Sequence, residues 1–395
     1  MSVLWLSLVV ACVPISRGER VSLPSDRLPV QRGLVADEAL ADAVDQAVLA
    51  YLDGAHMPGL AVAVYAPGEP LYTAGYGWAD LQTERRLRAD TPVLLSSVSK
   101  TFIGVTALQG VEAGRLGLDQ PIREVGDFGV YNPRLDDAPE PRLRHLLTHT
   151  SGLHDSYVYG SNYGDGDPVI PLDDFVLGYI YEYGRHHVRS NWSKRRPGEA
   201  YEYSNVGAAT AALAIGNAAR LTFRDLVRRD VLEPVGMIDS FYLLADQTQP
   251  PAYGYDRAGD DFRAWAHYGY PTYPDGLMRS SADDMARYAA MVLGDGALDG
   301  VEVLPAARVD EMLTVDRSID AGSESQAVVW VSQRLNGHTV FGHNGGDYGS
   351  FTELWMDRDR GAGALLLFTA LPEDGDDYER IRRLETALMD AVVDR

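Results

Sequence analysis

The chain has 395 residues, of which 46% are hydrophobic and 23% charged, proportions that are ordinary for a folded protein with a large core. Its net charge of −22 at pH 7 excludes binding modes that depend on positive surface charge, because phosphate backbones and anionic membranes would be repelled. We therefore expect no nucleic-acid partner and no membrane contact through charge.

Residues 1–34 are predicted to precede the folded domain as a signal segment and an extended leader without periodicity. An apolar run over residues 3–11, too short to span a bilayer, ends next to Cys12, the only cysteine of the chain. This pattern resembles the bacterial lipobox, whose cysteine is lipidated, although no basic residue opens the run as in most signal peptides. We expect an exported, extracytoplasmic protein anchored to a membrane only through Cys12. A cytoplasmic protein whose N-terminal run is a buried strand is the alternative.

Helices are predicted where apolar residues recur at a spacing of three and four, and strands where they alternate between turns. The predicted helices cover residues 36–54, 143–149, 172–183, 204–219, 282–293, 305–313 and 377–392, with a further helix that opens near Ser97 and ends at Gly114. The predicted strands cover residues 60–65, 70–78, 326–335, 338–343, 350–357 and 362–370, the last four as a meander.

Both ends of the chain therefore carry strands joined by hairpins, and such strands pair in an antiparallel sheet. We predict an α/β (α+β) fold in a domain over residues 35–395, with an antiparallel sheet flanked by the terminal helices. The sheet lobe would comprise about residues 35–114 and 235–395, and a helical lobe over about 115–234 would be inserted. The cleft between two lobes is the expected place for a site.

One candidate for that site is a serine followed three residues later by a lysine, Ser97 and Lys100, at a helix N-terminus. On a helix the two side chains share a face, so the amine can take the hydroxyl proton if burial lowers its pKa. The choice of residue is informative, because 33 of the 35 basic residues are arginines and the only other lysine is Lys194. Unlike arginine, lysine can lose its proton in a protein. The alternative is a serine cap followed by a solvated lysine.

Two further clusters could contribute to the same chemistry. Tyr203 and Asn205 stand at the start of the predicted helix over residues 204–219, which is lined with small side chains. A phenol can transfer protons, and an amide can hold both a lysine and a substrate. His343, Asn344 and a glycine pair, Gly345 and Gly346, stand at the end of a strand of the meander. Glycines at that place let a substrate approach the backbone closely.

These clusters occur in the order Ser-x-x-Lys, Tyr-Ser-Asn and His-Asn-Gly, which resembles the three motifs of the serine β-lactamase and penicillin-binding protein superfamily. The tyrosine of the second motif and the Leu-Arg-His-Leu-Leu-Thr-His-Thr-Ser-Gly-Leu run over residues 143–153 resemble its class C-like branch. That branch includes β-lactamases, D-peptidases and esterases. The resemblance covers about residues 36–390.

The resemblance implies a role for each matched residue. Ser97 would become acylated, Lys100 and Tyr203 would share the proton transfers, and Asn205 would bind Lys100 and the substrate. His343, Asn344 and Gly345 would line the substrate site, and the backbone N–H groups of Ser97 and Gly346 would form the oxyanion hole. Which of Lys100 and Tyr203 is the base stays open. No metal and no organic cofactor is implied.

The third motif departs from that of true class C β-lactamases, which have a lysine where this chain has His343. A histidine with an ordinary pKa is mostly neutral at pH 7, so the fixed positive charge that attracts a substrate carboxylate is missing. We therefore expect a serine hydrolase acting through an acyl-enzyme on a carboxylic ester, a small amide or a D-peptide. The alternatives are a true β-lactamase or D-Ala-D-Ala carboxypeptidase, and an inactive binding protein on the same fold. The oligomeric state is open.

Overall fold

The protein is described by a computed structural model over residues 15–24, 30–316, 318–322, 324–373 and 375–395. Cys12 and the apolar run before it lie outside these residues, so the lipidation of Cys12 stays a prediction. Within the described ranges, the helices are all too short or too polar to cross a bilayer.

Eighteen strands of very different length are found in the described residues, and antiparallel pairing joins neighbouring strands. They are β1 (Arg17–Ser22), β2 (Val30–Val35), β3 (Gly59–Ala66), β4 (Glu69–Asp80), β5 (Arg85–Arg86), β6 (Val93–Leu94), β7 (Gly164–Asp165), β8 (Tyr255–Ala258), β9 (Asp261–Trp265), β10 (Tyr268–Gly269), β11 (Arg279–Ser280), β12 (Ala297–Leu298), β13 (Val301–Glu302), β14 (Ser325–Gln326), β15 (Val331–Leu335), β16 (His338–Asp347), β17 (Ser350–Asp357) and β18 (Ala362–Phe368).

Twelve α-helices accompany these strands. They are α1 (Glu38–Gly54), α2 (Thr101–Glu112), α3 (Ile122–Gly126), α4 (Leu143–Leu147), α5 (Tyr157–Gly160), α6 (Leu172–Ile180), α7 (Asn205–Ala219), α8 (Phe223–Val227), α9 (Glu233–Val235), α10 (Ala282–Leu293), α11 (Ala306–Leu313) and α12 (Gly375–Val393). The segment over residues 115–234 contains α3 to α8 and the start of α9, and its only strand is the two-residue β7.

The central sheet joins both ends of the chain. Its strand order is β14-β15-β16-β17-β18-β3-β4-β2, with β5 paired to β4. The C-terminal meander therefore continues directly into the N-terminal hairpin, because β18 pairs with β3 along residues 60–65. The predicted antiparallel α/β fold is confirmed.

The sheet separates two hydrophobic cores, as the alternation of side chains along a strand requires. On β3, Leu60, Val62 and Val64 face one core together with α1 and α12. Ala61 and Ala63 face the other core, which contains α2, α7 and α10. Capping side chains fix the N-termini of two of these helices. The Asp37 side chain accepts the N–H of Leu40 at α1, and the Ser281 side chain accepts the N–H of Asp284 at α10.

The predicted leader differs from the structure at its C-terminal end. Its described residues, 15–24 and 30–34, contain strands, and β2 is an edge strand of the central sheet that pairs with β4, so the sheet includes Val30 rather than starting after residue 34. Strand β1 pairs with β9 in a separate three-stranded sheet. The sequence offered no signal for either strand, because β1 and β2 are mostly exposed and carry no alternating apolar residues.

Candidate active site

Ser97 lies in a short 3-10 turn, Ser96–Lys100, that leads directly into α2. The preceding residue, Ser96, has a φ of 49°, which is unusual for a residue with a side chain. Neighbouring strands hold this turn, because the Leu95 carbonyl accepts from Thr352 Oγ1 at 2.8 Å and the Leu95 N–H donates to Met278 at 2.8 Å. The hydroxyl of Ser97 is therefore presented by a turn whose backbone is fixed from two sides.

Lys100 is fully buried, and its amine lies against the serine hydroxyl. The Nζ atom donates to Ser97 Oγ at 3.0 Å and to the backbone carbonyl of Asp275 at 2.7 Å. Burial lowers the pKa of the Lys100 amine, and the negative charges of nearby aspartates, Asp275 first, oppose this effect. The amine is thus easier to deprotonate than an exposed lysine while it stays within hydrogen-bonding distance of Ser97.

Tyr203 approaches the same two side chains from the segment before α7. The Lys100 Nζ atom lies 5.1 Å from the centre of the Tyr203 ring. Burial raises the pKa of the Tyr203 phenol, and its hydrogen bond with Ser97 acts in the opposite direction. The phenol is therefore protonated at neutral pH, in the state that can donate a proton. The first and second motifs are brought together as the resemblance implied.

Asn205 is the first residue of α7, and a carboxylate holds its backbone. Asp155 accepts from the N–H groups of Asn205 and Val206 at 2.7 and 3.0 Å and from Ser204 Oγ at 2.9 Å. The expected hydrogen bond between the Asn205 side chain and Lys100 is not made in the described structure. Besides Ser97 Oγ, the Lys100 amine donates to the Asp275 backbone carbonyl.

His343 lies on β16 with its ring close to Tyr203, at 6.3 Å between ring centres. The ring is buried, its Nδ1 atom contacts the Asn344 carbonyl, and its Nε2 atom has no hydrogen-bond partner among the described residues. Burial, with a further contribution from the positive charge of Lys100, lowers the pKa of His343 to about 4. The ring is therefore neutral at pH 7, and the third motif carries no fixed positive charge.

Gly345 brings β16 against the serine turn. A Cβ atom at this position would lie 2.7 Å from both Ser97 N and the Leu95 carbonyl oxygen, closer than any side chain allows. Only glycine lets the strand approach the nucleophile this closely. The predicted substrate-site residues Asn344 and Gly345 thus lie on the strand that faces Ser97.

The backbone N–H of Gly346, on the same strand β16, can donate a hydrogen bond to a substrate. The two-residue hairpin turn between Asp347 and Ser350 places Gly346 and Phe351 in a pair without mutual hydrogen bonds, so the Gly346 N–H points away from β17. On that side β15 pairs with β16 only as far as Gly342 among the described strands. The Ser97 N–H lies in the first turn of the 3-10 helix, where backbone donors generally have no partner within the helix. Two backbone donors can therefore converge on one oxyanion.

Sequence reasoning missed three residues that shape this site: Asp155, Asp275 and His149. Asp155 lies two residues after the run over residues 143–153, and that proximity was the only available signal. Asp275 acts on Lys100 through its backbone carbonyl, which any residue could provide. No group of three or more His, Cys, Asp or Glu side chains within the described ranges is arranged to hold a metal ion.

Several known proteins are similar to this chain in sequence or in fold. A β-lactamase from Yersinia enterocolitica is 26% identical over 320 residues, 78% of this chain and 74% of that protein. Esterase EstB from Burkholderia gladioli is 33% identical over 199 residues, 47% of each chain. The fold of D-amino acid amidase from Ochrobactrum anthropi matches with a TM-score of 0.69 at 22% identity, over 90% of this chain and 99% of that one.

The sequence match extends over most of the chain. The family model described as Beta-lactamase matches residues 44–388, a range that contains all three motifs. The resemblance inferred from those motifs is confirmed, and the family and its neighbours are hydrolases. The chain therefore belongs to the Beta-lactamase family.

Proposed function

We propose that this protein is a serine hydrolase that forms a covalent acyl-enzyme on Ser97 with uncharged carboxylic esters or small amides, including D-peptides. The observation that carries the proposal is the 3.0 Å contact between Lys100 Nζ and Ser97 Oγ, made by a fully buried amine. A binding protein has no need for a titratable amine held against a serine hydroxyl. The inactive binding protein is therefore the weaker alternative.

In the proposed acylation, Ser97 Oγ attacks the substrate carbonyl carbon and its proton passes to the Lys100 amine. The carbonyl oxygen becomes an oxyanion that accepts from the N–H groups of Ser97 and Gly346. The tetrahedral intermediate collapses when Tyr203 gives its proton to the leaving oxygen or nitrogen. We assign Lys100 as base and Tyr203 as acid because burial lowers the pKa of the amine and raises that of the phenol.

In the proposed deacylation, water attacks the ester bond to Ser97 and the same groups act in reverse. The Tyr203 phenolate takes the water proton, the same two backbone donors hold the oxyanion, and the Lys100 ammonium returns its proton to Ser97 Oγ as that oxygen leaves. The products are a carboxylic acid and the free enzyme. Each step uses only groups that lie at the junction of α2, α7 and β16.

The neutral third motif supports the preference for uncharged substrates. A β-lactam presents a carboxylate near this motif, and the buried, neutral His343 offers it no positive charge. Loss of a charge-assisted hydrogen bond costs about 1.5–3 kcal/mol. Esterase EstB and D-amino acid amidase, which match this chain in sequence and in fold respectively, support the ester and amide classes. The similar Yersinia enterocolitica β-lactamase supports the alternative of β-lactam hydrolysis.

The test compares kcat/KM for a short-chain nitrophenyl ester, a D-amino acid anilide and a chromogenic cephalosporin. We expect the ester or the anilide to be turned over faster than the cephalosporin, and Ser97→Ala to abolish every activity. A wild-type preference for the cephalosporin would assign β-lactam hydrolysis instead. Turnover that survives in Ser97→Ala would contradict the acyl-enzyme.

We also propose that the protein is exported and lipidated at Cys12, on the sequence pattern around that cysteine. Mass spectrometry of protein isolated from its native host tests this directly. An N-terminal lipid-modified Cys12 is expected. An intact Met1 in a soluble product would contradict both export and lipidation.

A further inference from the structure

His149 has no role in the chemistry described above, yet it is buried at the centre of the site. It belongs to the run over residues 143–153, is 2% exposed, and has a φ of 54°. A residue with a side chain rarely adopts that backbone conformation unless the surroundings require it. Its position therefore calls for a physical explanation.

The backbone and side chain of His149 both bind the segment that carries Tyr203. The His149 carbonyl accepts from the Glu202 N–H at 2.7 Å, and its Nδ1 atom accepts from the Ser204 N–H at 3.2 Å. The two residues that flank Tyr203 are thus both hydrogen-bonded to His149. The imidazole also packs against the Tyr203 ring, with 4.3 Å between ring centres and a 31° tilt.

The hydrogen bond to Ser204 defines the proton position on the imidazole. Because Nδ1 accepts, the proton of the neutral ring is on Nε2. Burial first, then the positive charge of Lys100, lowers the pKa of His149 well below its usual value, so the ring stays neutral. A neutral ring adds no second positive charge beside the Lys100 amine.

We propose that His149 is the positioning residue for Tyr203, setting where the phenol lies relative to Ser97 and Lys100 through its Nδ1 acceptor. This inference rests on the proposed function, in which Tyr203 transfers a proton. His149 contacts the backbone on both sides of Tyr203 and one face of the Tyr203 ring. Replacing His149 should therefore displace the phenol without removing it. Misplacement of a catalytic group by about 1 Å can cost a hundredfold in rate.

Three substitutions separate positioning from simple packing. His149→Phe keeps an aromatic ring against Tyr203 but removes the acceptor, leaving the Ser204 N–H without a partner. His149→Asn keeps an acceptor near the Nδ1 position and tolerates the positive φ. His145 supplies a matched control, because its Nδ1 atom also accepts a backbone N–H, that of Arg142 at 3.2 Å, but it lies four residues before His149 in the sequence. His145→Asn should leave kcat unchanged.

The test measures kcat and KM for a nitrophenyl ester in these variants and in a double-mutant cycle with Tyr203→Phe. We expect His149→Phe to lower kcat by about ten- to a hundredfold with KM changed by less than about threefold. His149→Asn should recover most of kcat. In the Tyr203→Phe background, His149→Phe should have almost no further effect, because the group that it positions is gone.

The inference is overturned if His149→Phe lowers kcat equally in both backgrounds, or if it raises KM alone. If His149→Phe does not fold, His149→Asn decides by itself: near-native kcat supports the inference, and a more than tenfold loss at unchanged Tm overturns it. If Ser97→Ala or Tyr203→Phe leaves turnover intact, it is the proposed function that fails.

Discussion

Two buried ionisable pairs lie on opposite faces of the central sheet, and they differ in what they touch. On one face, Lys100 lies beside Asp275 and donates to Ser97 Oγ. On the other, Glu353 of β17 and Glu385 of α12 are buried together between the sheet and the C-terminal helix. Burial lowers the pKa of the Lys100 amine and raises the pKa of both glutamates.

The difference shows that a perturbed pKa does not identify a catalytic group by itself. Glu353 accepts from the Trp355 indole at 2.6 Å, and one Glu385 oxygen has no partner among the described residues. No hydroxyl nucleophile contacts either carboxyl group in the described part of the chain. Lys100, by contrast, is within hydrogen-bonding distance of a serine that also faces two backbone donors. We therefore expect Lys100 to control activity and Glu385 to control stability.

The largest effect is expected at Lys100. Lys100→Arg keeps the positive charge but cannot release a proton, so kcat for a nitrophenyl ester should fall a hundredfold or more. Lys194→Arg, at the other lysine of the chain and on the surface, is the matched control and should change nothing. Near-native activity in Lys100→Arg would show that Lys100 is structural. The assignment of activity to Lys100 and of stability to Glu385 would then be wrong.

A smaller effect is expected at the third motif. His343→Lys should raise kcat/KM for a chromogenic cephalosporin by about ten- to a hundredfold, since a charge-assisted hydrogen bond is worth about 1.5–3 kcal/mol. Burial and the charge of Lys100 oppose the new cation, but the flexible lysine stem lets its charge move towards water. The ester serves as the internal control and should change little. No gain on the cephalosporin would show that His343 does not set the substrate preference.

The smallest effect is expected on the opposite face, in the pH dependence of stability. Because the folded state raises the pKa of Glu385, the stability that its protonated form provides is complete below the ordinary carboxyl pKa and is lost as pH rises. Through this group, the free energy of unfolding should fall by up to about 1.4 kcal/mol for each pH unit between the ordinary carboxyl pKa of about 4.3 and the folded-state pKa of about 8. Glu385→Gln should remove the part of the pH dependence that Glu385 contributes, while kcat stays unchanged.

Urea unfolding at pH 5 and pH 8 measures this effect directly. The wild type and Glu385→Gln should differ more at pH 8, where the variant is the more stable protein. Glu379→Gln, an exposed substitution on the same helix, provides the control and should follow the wild type. A loss of catalytic activity in Glu385→Gln would contradict the assignment of this face to stability alone.

Much of the fold could be predicted because its signals are local. Helix α10 and strand β17 begin and end where apolar spacing and turns indicate, and the hairpins predict an antiparallel sheet. Ser97, Lys100 and Tyr203 could be found because the chemistry requires those side chains. The contribution of the Asp275 carbonyl could not be predicted, because every residue type has a backbone carbonyl. His149 acts through a hydrogen bond to a distant backbone N–H, which only the folded chain brings within reach.

The central claim is that Ser97 becomes acylated with the help of Lys100, and covalent labelling tests it most directly. The protein is incubated with a fluorophosphonate probe at pH 8, and the adduct is located by peptide mass spectrometry. We predict a single adduct on Ser97, strongly slowed in Lys100→Arg and unchanged in Lys194→Arg. An unlabelled Ser97 in a folded wild-type protein that still hydrolyses esters would contradict the account.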